Sequence, residues 1–179
     1  MPNVQQAAAI VQRVAPDLSR FGVAFVVAIA ALEGDFSPHH NWGAITAGDS
    51  WTGTTFEHGD SKWTKDGVVH YVTAFRDYPD EDAAALGLVQ LLRVRYASAL
   101  DAAINGHWFD ASAALYDHGY YTGTKPRGGA IADHYKALSK WLVAQGIHPA
   151  IIGTAIGLEM LFWIGLGVFG WRAARRAHR

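Results

Sequence analysis

The chain has 179 residues, no cysteine and a formal net charge of −1. The lack of Cys excludes thiolate nucleophiles, cysteine-ligated zinc and disulfides, and the absence of a basic excess speaks against nucleic acid as a partner. A chain of this length buries a core without covalent staples and suits one main domain plus a small addition.

The opening "MPNVQQAAAIVQRVAPD" has no basic start, apolar core and small-residue cleavage site. A short helix is expected there, not a secretory signal. Asn3 to Ala15 and Asp17 to Glu33 read as two helices parted at Pro16, the second too apolar for a surface helix and therefore central. Its end, "AALEGDFSPHHNWGAI", is unusual. An apolar run from Phe21 to Leu32 stops on Glu33, with Gly34 directly behind it. Phe25, Ile29 and Glu33 share one helix face at i, i+4 and i+8, so the acid lies in line with buried side chains. The last turn of a helix also disfavours a carboxylate. Burial and dipole together should raise the pKa of Glu33.

From Asp35 to Trp51 the Gly, Asp, Ser, Pro, His and Trp content predicts an irregular loop. "TGTTFEHGDSKWTKDGVVHYVTAFRDY" predicts a small antiparallel β element, with polar turns at His58 to Ser61 and Lys65 to Gly67 and a strand in "VVHYVTAF". After Pro79, "DEDAAALGLVQLLRVRY" places acids first and Arg93 and Arg95 last, as a helix dipole prefers. Shorter helices are expected over Tyr96 to Ile104 and Asp110 to Tyr116, and a longer one from about Ala130 to Ala144, ended by Gly146 and Pro149. The layout is mainly α with a small β lobe inserted after the central helix.

Near the C-terminus, "AIIGTAIGLEMLFWIGLGVFGW" followed by "RAARRAHR" has the roughly 20 apolar residues and the basic flank of one membrane span. The alternative is a hydrophobic helix buried against partner subunits. The expected division is therefore residues 1–146 as the main domain and 147–179 as a transmembrane helix with a basic tail, contacting the membrane through residues 150–171. Lys136 and Lys140 before the span, against Arg172, Arg175, Arg176 and Arg179 after it, place the C-terminus in the cytoplasm and the main domain outside, facing the cell wall. Delivery within a virus particle is the other route. An ionised Glu159 in mid-span costs about 2.5 to 3.5 kcal/mol, so this residue is expected to face protein or to hold a proton. Gly153 and Gly157 form a GxxxG pair that lets a second helix approach, a route to a homo-oligomer or to a virion or envelope assembly.

An acid at the edge of a helical core and opposite a β lobe fits glycosidic cleavage, because a carboxyl still protonated near neutral pH can donate to a leaving oxygen. The plainer reading is a helix-end acid paired with Arg or Lys. Nine His, including His39 and His40, invite a zinc reading. No HExxH or other closed ligand spacing accompanies them, so neither metal nor cofactor is expected.

The order of these pieces resembles the lysozyme-like glucosaminidases of glycoside hydrolase family seventy-three, the peptidoglycan hydrolases of autolysins, flagellar assembly enzymes and phage lysins. "AIAALEGDF" is similar to the family segment ending in Glu-Ser-Gly. "HNWGAI" resembles its Asn-hydrophobic-Phe-Gly-Ile loop through Asn41, Trp42, Gly43 and Ile45. "TTFEHGDSKW" and "TAFRDYPDEDAAA" resemble its hairpin and Phe-Arg-x-Tyr motif, here Phe75, Arg76, Asp77 and Tyr78. "ALYDHGYYTG" resembles the Gly-Tyr-Ala-Thr segment through Gly119, Tyr120, Tyr121 and Thr122. The likeness runs from about Val14 to Leu142 and stops before the apolar segment. Gly34 in place of Ser, Tyr121 in place of Ala, and the long "GTKPRGG" depart from the pattern.

The resemblance implies a lysozyme-like α+β fold and an enzyme that cuts β-1,4 bonds of peptidoglycan glycan strands; the apolar segment, outside the likeness, is expected to anchor it in a membrane. Glu33 is the implied general acid. Glu57, with Asp60 in reserve, is the implied base on the β lobe; a carboxylate separation of roughly 6.5 to 9.5 Å would mean inversion and about 5 Å a covalent intermediate. Tyr120 is the implied site tyrosine. Trp42, Trp51 and Trp63 are expected to stack on sugar faces, Asn41 to read an N-acetyl group, and Tyr121 to join the substrate-binding set. "GLVQLL" at Gly87 has the look of a lytic transglycosylase motif but falls inside a helix, where it reads as core. The alternatives are a lytic transglycosylase and a catalytically silent wall-binding or assembly protein.

Overall fold

The computed structural model describes residues 2–33, 39–64, 67–121 and 125–147, with the backbone alone for residues 60–64. The chain divides into two compact units, Met1–Pro149 and Ala150–Arg179. The second unit, and with it the expected membrane span, lies outside the described residues. Among the described residues no helix is long and apolar enough to cross a membrane. They form a mainly helical domain with one two-stranded sheet.

Helix α1 (Val4–Val14) starts at Asn3, whose side chain accepts from the Gln6 N–H while the Gln6 side chain accepts from the Asn3 N–H. This reciprocal cap satisfies two orphan donors of the first turn. Helix α2 (Arg20–Glu33) is the axis of the domain, and every residue from Gly22 to Ala30 is buried. It begins after the expected Asp17, because Ser19 takes the capping role. The Ser19 Oγ accepts from the Gly22 N–H at 3.2 Å and donates to the Ile104 carbonyl at 3.2 Å. Asp17 instead pairs with Arg93 at 2.6 Å. Gly22 permits close packing, since a Cβ there would lie 2.8 Å from Ile104 Cγ2.

Strands β1 (Thr55–Thr64) and β2 (Gly67–Arg76) pair antiparallel in unbroken register, from Thr55 opposite Arg76 to Thr64 opposite Gly67. The turn expected at His58 to Ser61 is therefore absent. Gly59 lies within β1 opposite Val72, and His58 and Gly59 are exposed to water within an unbroken strand. The reversal falls next to Gly67, whose φ of +121 suits glycine. At the other end, the loop before β1 joins the sheet: Thr46 bridges to Phe75, and the Ala47 N–H donates to the Ala74 carbonyl at 2.9 Å.

Helix α3 (Glu81–Arg95) is capped by Asp80, which accepts from the Ala83 N–H at 2.8 Å. Helices α4 (Ala97–Ile104), α5 (Trp108–Asp117) and α6 (Arg127–Ala144) complete the domain. Helix α6 starts earlier than Ala130 and includes Gly128 and Gly129, because Pro126 stands just ahead of its first turn with φ −52, already suited to helix entry. Helix α2 packs against α1, α3, α4 and α6, which makes it the centre of the domain.

Candidate active site

Glu33 is the last residue of α2 and is half-buried. Burial pushes its carboxyl above the usual carboxylate range, as the apolar run ahead of it predicts. It has no hydrogen bond or ion pair among the described residues. An unpaired carboxyl at the edge of a core is costly as an anion, which favours the protonated form.

Tyr120 reaches the same place from α5. Gly119 adopts φ +72 at the end of that helix; its N–H donates to the Tyr116 carbonyl at 3.0 Å and the Tyr120 N–H to the Leu115 carbonyl at 2.9 Å. This glycine-dependent C-terminal cap sets where Tyr120 departs from the helix. Its phenol is pushed well above its ordinary value, first by burial and then by the charges of Glu33 and Tyr96. The charge of Glu33 thus bears on that phenol. The Tyr120 hydroxyl also donates to the Gly43 carbonyl at 3.4 Å.

Gly43 belongs to the loop that follows the acid. Within it His40 and Ala44 adopt φ of +48 and +47, conformations that cost L residues energy and need support from their surroundings. Asn41 supplies that support. It is 2% exposed, its amide donates to the carbonyls of Ile45 and Arg76, both at 2.9 Å, and its carbonyl accepts from the Ile45 N–H at 2.8 Å. Both amide hydrogens are thus committed to the backbone, and Asn41 works as a loop clamp instead of the expected acetamido reader. Trp42 is likewise 2% exposed and donates its indole N–H to the Glu81 carboxylate, so it anchors the loop in the core and has no face free for a sugar. Glu81 also meets His40 at 3.2 Å, and His39 meets Asp77 at 3.2 Å while stacking flat on Phe56 at 3.9 Å.

Trp51 is half-buried and enclosed. The Arg76 guanidinium lies 4.7 Å from its ring, Tyr78 packs at 5.4 Å, and a Cβ on Gly53 would approach Trp51 Cζ2 to 2.4 Å. These neighbours take up part of the ring surface expected to stack on sugar. Glu57 is exposed on β1 opposite Ala74, on the strand face turned away from Phe56, which packs on Phe75. The backbones of Asp60 and Trp63 stand opposite Tyr71 and Val68; their side chains lie outside the described residues.

Tyr121 belongs to a different cluster. Its hydroxyl donates to the Ser112 carbonyl at 3.0 Å and its ring stacks on His134 at 3.8 Å, which ties α5 to α6. His134 Nδ1 meets the Ser112 Oγ at 2.7 Å, the spacing of a nucleophile and its base. Ser112 is fully buried, however, so no substrate reaches it. Burial holds the His134 pKa down at about 4.

Tyr96, which sequence reasoning passed over as the start of a helix, packs edge-on to Tyr120 with ring centroids 5.0 Å apart. No motif marks it; its signal was only an aromatic residue at the joint of two helices. A cavity of about 370 Å³, lined by Arg20, Val23, Gln12 and Gln145 among others, sits by the opposite end of α2 from Glu33, about 20 Å away along the helix. Among the described residues no group of three or more His, Asp or Glu could hold a metal ion.

No family model matches the sequence, and no curated protein matches it. Solved structures do. The chain is similar to a peptidoglycan hydrolase mutant from Sphingomonas sp. A1, with 25% identity and a TM-score of 0.58, over 79% of this chain and 97% of that one. It is similar to the catalytic domain of the autolysin Auto from Listeria monocytogenes, with 18% identity and a TM-score of 0.57, over 80% and 85% of the two chains. A third likeness is to a C-terminally truncated glycoside hydrolase domain of Salmonella typhimurium FlgJ, with 20% identity and a TM-score of 0.51, over 79% and 95%. The described domain therefore shares the fold of these three hydrolases.

Proposed function

We propose that this protein hydrolyses β-1,4 glycosidic bonds of peptidoglycan, with Glu33 as the general acid. The observation that carries the reading is a desolvated carboxyl at the end of the central helix, unpaired among the described residues and bearing on the Tyr120 phenol, in a fold shared with peptidoglycan hydrolases. A carboxyl that keeps its proton can pass it to the leaving glycosidic oxygen as the bond breaks. Tyr120, whose phenol stays neutral at working pH, offers a hydroxyl to the reacting sugar. Glu57 is the proposed base, and the apolar stretch at residues 150–171 is proposed to hold the enzyme at a membrane facing the wall.

The exposed position of Glu57 favours a second reading, in which Glu33 works alone as in a lytic transglycosylase. Product masses separate the two, because transglycosylation leaves an anhydro sugar and hydrolysis adds water.

The decisive variant is Glu33→Gln, tested for release of soluble fragments from purified wall. Activity should fall by at least about a hundredfold. The same variant should not be less stable. A folded-state pKa above the unfolded one gives stability that is complete at low pH and lost as pH rises through the folded value. Gln lacks that loss, so the variant should melt at or above wild type at neutral pH. Full activity in Glu33→Gln would overturn the site, and an inert wild type would overturn the function.

A further inference from the structure

We propose that Tyr96 is a positioning residue for Tyr120, holding its ring in the orientation that chemistry at Glu33 uses; this rests on the function proposed above. The C-terminal cap of α5 fixes the Tyr120 backbone but not its ring, and the hydroxyl contact to Gly43, at 3.4 Å, is too long to lock it. The ring is instead met by Tyr96 edge-on, at 5.0 Å between centroids and 84° between planes, the arrangement that aromatic pairs favour.

Tyr96 is well placed to act as a fixed stop. It is 4% exposed and forms the joint of two helices. Its N–H donates to the Leu92 carbonyl of α3 at 3.1 Å, while its own carbonyl accepts from the Ala99 and Leu100 N–H groups of α4 at 3.0 and 3.1 Å. The Arg95 guanidinium lies 5.7 Å from the ring. A ring that is 4% exposed at the joint of two helices thus bears on one whose hydroxyl is loosely tied, and removing it would free Tyr120 to turn away from the reacting bond.

The test uses the full chain carrying 3-fluorotyrosine, with the Tyr120 fluorine resonance assigned by its loss in Tyr120→Phe. Tyr96→Leu, and Tyr96→Met as a bulkier second truncation should Leu fail to fold, are assayed on purified wall below their melting midpoints. The truncation should lower kcat by about tenfold or more, with KM within about twofold of wild type, because misplacing a site group damages turnover more than binding. It should also displace the Tyr120 resonance. Tyr96→Phe, which keeps the ring edge, should restore both kcat and resonance. A truncation that leaves kcat and resonance unchanged overturns the proposal, as does a Tyr96→Phe variant as impaired as the truncation, which would assign the effect to the hydroxyl. If wild type does not act on wall, the functional reading fails and the resonance alone decides whether Tyr96 sets the ring.

Discussion

His134 should make the fold acid-labile, by an amount that can be worked out. The residue is 9% exposed, lies flat on Tyr121 and meets Ser112 through Nδ1, while its Nε2 is buried with no partner among the described residues. Burial lowers its pKa from 6.5 to about 4. The neutral ring is therefore the native form, and its stability is complete above pH 6.5 and lost as pH falls toward about 4. Over that range the lowered value corresponds to about 3 kcal/mol, at about 1.4 kcal/mol per tenfold change in proton affinity. In a domain of this size that is a fall of about 10 °C in Tm. Thermal unfolding between about pH 7 and about pH 4, wild type against His134→Phe, measures it. Phenylalanine keeps the stack on Tyr121 and removes the orphan nitrogen, and Ser112 Oγ retains Tyr121 Oη at 3.2 Å. The variant should lose much less stability over that range. The raised Glu33 pKa acts in the opposite direction, and the carboxylates of Asp17, Asp82 and Asp117, held low by their arginines, lie at the surface; all are common to both proteins. A variant as acid-sensitive as wild type would refute the assignment.

Gly87→Ala would place a Cβ 2.4 Å from the Tyr78 hydroxyl and 2.7 Å from its Cζ. The clash should outweigh the gain in helix propensity and leave a net loss of about 1 to 2 kcal/mol. Gly128→Ala, with nothing within 4 Å, should be neutral or stabilising by up to about 1 kcal/mol. Equal melting temperatures for the two would show that the contact does not matter. Asn41→Ala should cost about 2 to 4 kcal/mol, because three buried hydrogen bonds lose their partner. Chemical denaturation checks this, and unchanged stability with weaker substrate binding would return Asn41 to the role of sugar reader.

Glu33 was legible because helical periodicity alone puts it in line with Phe25 and Ile29, so its burial follows from spacing. The bounds of α3 were also legible, from acids at its start after Pro79 and arginines at its end, as the dipole prefers. Loop residues have no such period. Asn41 and Trp42 have the chemistry of ligand-binding side chains, and only the strained path of their loop determines that both turn inward. The packing of Tyr121 was not legible, because the ring it stacks on, His134, lies on another helix, where no local spacing points to it. The run from His58 to Ser61 imitated a turn in composition, yet pairing with the Val-rich β2 carried the strand through it.

Among the described residues, aromatic rings pack the hairpin at its root. Phe56 and Phe75 pack there beside His39, whereas residues 67–72 of β2 are exposed along their whole length, Val72 to 66%. Removing one residue from each strand would turn every outer side chain over, but removing two from each keeps the alternation and the root contacts. The arm can thus be shortened or extended in matched steps without disturbing the globule that carries the acid, making its reach a dimension that evolution or an engineer can tune separately from the chemistry.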